Sequence, residues 1–120
     1  MQDGQKLNIL GTDYTVYIRT EDEDPVLKAC AGYCDNTMHT IIVETVTKRD
    51  ADAPDLVGDY ESFQRRALRH EIIHAYLFES GLGGDADYGA NGNVHPEMMI
   101  DWYARQAPKI WQTWQEAGAL

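Results

Sequence analysis

Asp59 and Gly81 bracket a stretch, Tyr60 to about Ser80, that reads as one long helix. An aspartate side chain satisfies free N–H groups at a helix start, and glycine adopts the left-handed conformation that ends one. Inside this stretch stands the run His70-Glu71-Ile72-Ile73-His74. Two imidazoles four residues apart lie on one helical face, so both reach a single metal ion. Glu71, 100° further round the axis, stands to the side of that face, where a carboxylate approaches a metal-activated water without binding the ion. With four histidines and eight glutamates in 120 residues, a shuffled chain would hold about 0.01 such runs, so composition alone does not account for this one. The same face carries Phe63, Ala67 and Leu77, and imidazoles on an apolar stripe are costly without a partner.

A catalytic zinc needs a third protein ligand and an open position, which directs attention downstream. Pro96 suits the first turn of a last helix, and Glu97-Met98-Met99-Ile100-Asp101 places a second pair of candidate groups four residues apart. Glu97 would bind the ion, and Asp101 would accept a hydrogen bond from a ligating histidine and fix its tautomer. The plainer reading of Glu97 is an acid favoured by the positive end of its helix. Asp101 is flanked by Ile100, Trp102 and Tyr103, a stretch expected to be largely buried, and a buried carboxylate wants a partner.

His70, Glu71, His74, Glu97 and Asp101 together resemble the pattern of the gluzincin-type zincin metallopeptidases. In that family H-E-x-x-H is followed on a later helix by a glutamate ligand and, four residues on, a supporting aspartate. The small size looks most like the minigluzincins and the small ImmA/IrrE-like metallopeptidases of phages and mobile elements. The resemblance covers His70 to Asp101, about a quarter of the chain. It implies one Zn2+ per chain, hydrolysis of a peptide bond in a peptide or protein substrate, and Glu71 as general base. His95, just before Pro96, departs from the pattern, since larger gluzincins often carry Asn there. It would help the chemistry, compete for metal or simply start the helix. Tyr88 in the glycine-rich loop Gly81 to Asn93 would reach the oxyanion, as a tyrosine does in several zincins, or serve as packing. The resemblance also implies a strand along the cleft edge that pairs with extended substrate, and Thr40 to Thr45 is either the element so placed or an ordinary strand whose edge is covered.

Two other readings stay open. A deformylase-like metal amidase also uses H-E-x-x-H and takes a cysteine ligand from an earlier strand, for which Cys34 is the donor available. A catalytically silent zincin-fold module kept for protein contacts would show Glu71 sequestered in a salt bridge, or a site closed to substrate.

The remainder of the chain sets the frame. One domain over residues 1–120 fits the length. Lys6 to Leu10 and Tyr14 to Arg19 alternate apolar and polar residues around Gly11 and Thr12 and read as a hairpin. Asp24 and Pro25 start a short helix, and Met38 to Val46 reads as a strand able to pair with Gly32 to Asp35. The order, strands first and helices second, gives an α+β class: a small twisted sheet packed on the active helix, with a C-terminal helix supplying the third ligand. Pro108 is expected to kink or restart that last helix. Ten basic against twenty acidic residues leave a net charge of −10, which repels nucleic acid. With no long apolar run and no secretion-type N-terminus, a cytoplasmic protein is expected, in the host cytoplasm if phage-encoded, with no membrane partner. Cys30 and Cys34 are expected to be reduced thiols in a packed region, Arg65, Arg66 and Arg69 a solvated helix face, and Trp102, Trp111 and Trp114 packing residues.

Overall fold

A computed structural model describes residues 1–45, 58–82 and 96–120, and for residues 96–101 and 104 the helical backbone alone. Strands β1 (Lys6–Ile9) and β2 (Thr12–Arg19) form the expected hairpin, with Ile9 opposite Thr12. The two residues between them, Leu10 at φ 51° and Gly11 at φ 100°, supply the pair of positive φ angles that a tight hairpin turn requires. The Asn8 carboxamide oxygen accepts from the Gly11 N–H at 3.0 Å and pins the turn. Alternation turns Leu7, Ile9, Tyr14 and Val16 inward, where all four are fully buried.

Asp24 caps a short 3-10 turn (Pro25–Lys28) through the Val26 N–H, where the sequence suggested a short helix. Strands β3 (Gly32–Asp35) and β4 (Thr40–Glu44) pair antiparallel. Asp35 holds the connection between them by accepting from the backbone N–H groups of Thr37 and Met38. Strand β4 also pairs parallel with β2, giving the order β1-β2-β4-β3. Thr40–Glu44 therefore lies inside the sheet, and β3 is the edge strand beside the helix, which corrects the sequence-based choice of cleft-edge strand. A parallel neighbour and a helix layer bury a strand heavily, and Ile41, Ile42 and Val43 are consecutive buried residues.

Helix α1 (Tyr60–Glu79) begins where Asp59 Oδ1 accepts from the Ser62 N–H at 2.9 Å. It ends at Gly81, φ 86°, with Leu82 N–H bonded to Leu77 O and Gly81 N–H to Phe78 O. This paired closure satisfies the last free carbonyls of the helix. Helix α2 (Pro96–Glu116) runs unbroken through Pro108, where the sequence suggested a kink or restart. It closes in the same way at Gly118, with Ala119 N–H on Trp114 O, which carries Ala117 and Ala119 back into the core.

The class is thus α+β, and among the described residues a four-stranded mixed sheet is followed by two helices packed on it. Leu68, Ile72, Ala75 and Tyr76 of α1 and Ile110 of α2 cover the buried face of the sheet. Two clamps hold α1 on the strands. Near its start the Gln64 carboxamide donates to Glu44 O at 2.7 Å, and at its end Glu79 accepts from Tyr14 Oη at 2.8 Å and Thr12 Oγ1 at 2.9 Å. A hydrogen bond to a charged group contributes about 1.5–3 kcal/mol, so the Glu79 clamp is the stronger. Among the described residues no helix is long and apolar enough to cross a membrane.

Candidate metal centre

Between the two clamps, α1 presents His70 and His74 to one side. Their Nε2 atoms are 3.1 Å apart, with ring centroids 4.9 Å apart and ring planes inclined at 63°. Two imidazole nitrogens bound at about 2.0–2.1 Å to one tetrahedral zinc stand roughly 3.3 Å from each other, so the pair fits the bite of such an ion closely. At this distance the rings can also share a hydrogen bond, with donor and acceptor set by their tautomers. Burial, and then the charge of His70, push the His74 imidazole below its usual range, which favours the neutral form a metal ligand needs. Both rings are exposed, while Phe63, Ala67 and Leu77 are only half-buried. The expected apolar stripe is therefore only partly core: Ala67 packs against the core cluster, Phe63 and Ala67 also line a groove, and solvent reaches the imidazoles.

Glu71 behaves differently from its neighbours. It is 8% exposed, with its Cγ against edge strand β3: a Cβ placed on Gly32 would sit 3.5 Å from it. Burial pushes its carboxyl above the usual carboxylate range, and the nearby His70 partly offsets this. Among the described residues it pairs with no lysine or arginine. The sequence placed Glu71 to the side of the imidazoles, and the fold carries this further, tucking it under β3.

A groove of about 440 Å³ opens beside His70 and Glu71, walled by Ala31 and Gly32 on the strand side and by Phe63, Arg66 and Ala67 on the helix side. Sequence reasoning missed this role for Arg66, although Phe63, Arg66, Ala67 and His70 already stand at helical spacing. The three arginines do not share one solvated face. Arg65 reaches Glu61 at 3.9 Å, Arg69 donates to the carbonyl of Ala119, and Arg66 lies over the Phe63 ring, 5.1 Å from its centroid.

The other expected site residues fall as follows. Glu97 and Asp101 both stand on α2, but their side chains lie outside the described residues. Helix α2 meets the C-terminal end of α1, with Trp102 Nε1 donating to Ser80 Oγ at 3.0 Å and Tyr76 Oη 2.7 Å from Thr113 Oγ1, and crosses it in the opposite sense. Tyr88 and His95 lie outside the described residues altogether. Cys34, the ligand a deformylase-like site would need, does not join the imidazoles, since among the described residues no third His, Cys, Asp or Glu groups with them. Its thiol is pushed up to about 12, first by burial and then by Glu71, which opposes the thiolate a metal requires. Both cysteines are free, but Cys30 is exposed rather than packed. Trp102 and Trp114 pack against the core as expected, whereas Trp111 is exposed. None of the protein-family models, curated proteins or solved structures compared with this chain matches it.

Proposed function

We propose that the chain is a zinc-dependent metallopeptidase of gluzincin-like type, a minimal zincin in which His70, His74 and, from the last helix, Glu97 hold one ion, with Asp101 orienting a histidine. When bound, zinc supplies Lewis acidity that polarises a peptide carbonyl and makes water a competent nucleophile at neutral pH. The observation that carries the reading is the convergence of the two Nε2 atoms at 3.1 Å beside a buried Glu71 and an open groove.

The chain's own residues then have defined work. Glu71 takes a proton from the attacking water and passes it to the leaving nitrogen, so that one water adds across the C–N bond and yields a carboxylic acid and an amine. Its partial desolvation suits both halves of that task, because a raised carboxyl pKa makes it a better base and a proton carrier nearer neutrality. Strand β3 offers an outer edge that pairs with no other strand among the described residues, and the resemblance implies that extended substrate aligns on such an edge. The test is cleavage of a peptide library by zinc-loaded protein and by the zinc-loaded Glu71→Gln variant. Activity in the first, reduced about 10² to 10⁴-fold in the second with zinc still bound, is the expected result. Equal cleavage by both removes Glu71 as the base, and cleavage by neither turns the reading toward a protein-binding module.

A further inference from the structure

We propose that Arg66 makes the groove selective for a carboxylate carried by the substrate close to the scissile bond. The inference rests on the peptidase reading and adds the substrate class that the site takes.

Arg66 is the one arginine or lysine among the described residues that lines the groove beside His70 and Glu71. Neighbouring cations on the helix are engaged elsewhere, Arg65 with Glu61 and Arg69 with the Ala119 carbonyl. Among the described residues Arg66 meets no carboxylate, and its exposed guanidinium lies over the Phe63 ring at the groove wall, a contact that favours this direction. Phe63, Ala31 and Ala67 provide an apolar floor for a methylene stem, and the guanidinium stands where the stem would end in charge. The setting sharpens the choice. In a chain of net charge −10, an acidic group is repelled by most of the surface, so a cation inside the cleft decides where it docks. Arg66 is one helical turn, about 6 Å along the axis, before His70. An extended peptide advances about 3.3 Å per residue, so the recognised carboxylate lies within two residues of the bond cleaved. It belongs either to an Asp or Glu side chain or to the substrate's own C-terminus.

The experiment uses the full chain with zinc. Peptides identical except for Glu, Gln or Lys at each of the two positions on either side of the bond, each with a free and an amidated C-terminus, are assayed for kcat/KM with wild type and Arg66→Glu. Wild type should favour Glu over Gln about 3- to 10-fold at one position, or the free acid over the amide by the same factor, and the ratio should fall as salt is raised. In Arg66→Glu the ratio should drop below one and Lys should be preferred, with zinc content unchanged. The same ratios are measured as binding affinities on zinc-loaded Glu71→Gln, which separates selection from chemistry. Absent cleavage with the Arg66-dependent affinity ratio intact defeats the peptidase reading and keeps carboxylate selection. Indifference of wild type to Glu, Gln and the terminal carboxylate in both assays, or identical ratios in Arg66→Glu, overturns the proposal.

Discussion

Replacing Gly32 by alanine probes the contact between edge strand and active helix. A Cβ at residue 32 would lie 2.8 Å from the backbone carbonyl oxygen of Ile42, 3.3 Å from Val43 Cγ1 and 3.5 Å from Glu71 Cγ. The first of these is backbone of the neighbouring strand β4 and cannot rotate away, so β3 must shift outward. Overpacking of this kind costs about 1–3 kcal/mol. The lower entropy of the unfolded alanine chain offsets about 0.4–1 kcal/mol. The net loss is at most about 2.6 kcal/mol, with a midpoint of about 1.3 kcal/mol, which for a domain of this size lowers Tm by roughly 4–8 °C at the midpoint. Gly58→Ala is the control, since a Cβ there meets nothing within 4 Å and should leave Tm unchanged or slightly raised. Thermal melts of both variants followed by circular dichroism at matched concentration decide the matter. A Gly32→Ala protein that melts at or above wild type refutes the close approach of β3 to β4 and Glu71, and with it the description of the groove wall.

Glu79→Ala removes the acceptor shared by Tyr14 and Thr12 and should destabilise by about 1–3 kcal/mol in chemical denaturation, with Thr12→Ala alone costing less. Thiol titration with an aromatic disulfide at pH 8 should show one rapid and one slow cysteine, the slow phase disappearing in Cys34→Ser, because Cys30 is exposed and burial pushes the Cys34 thiol up to about 12. Asp35 is held below its ordinary 3.8 by the Thr37 hydroxyl and by the Met38 and Thr37 N–H groups. With the folded-state value depressed, the unfolded chain binds the proton more readily. Its contribution is therefore complete above 3.8 and lost as pH falls through the lower folded-state value. The Tm gap between wild type and Asp35→Asn should accordingly be present at pH 5 and close below about pH 4.

Local signals carried much of this fold. Asp59 and Gly81 bound α1 because caps act within a turn of the chain, and the β1–β2 hairpin follows from alternation and a glycine. The insertion of β4 between β2 and β3 was not legible in the same way, because a parallel partner is chosen by contacts remote in sequence. The unbroken run Ile41-Ile42-Val43 held a hint, since strands flanked on both sides lose their polar alternation. Spacing alone brought His70 and His74 together, whereas the burial of Glu71 depends on β3 passing over it and on Gly32 having no side chain to intervene. Pro108 was read as a break, yet α2 continues through it, so packing against α1 outweighs one lost backbone bond.

The central claim is that the two imidazoles and Glu97 hold zinc, and a crystal structure of zinc-loaded protein with data collected on both sides of the zinc absorption edge tests it most directly. One anomalous peak per chain is expected, about 2.1 Å from Nε2 of both His70 and His74, with a Glu97 oxygen completing the protein ligands and Glu71 outside the coordination sphere. A peak at that position ligated by Asp101 or His95 would replace Glu97 alone. No peak between the imidazoles, or Glu71 bound directly to the ion, would overturn the proposed metal site.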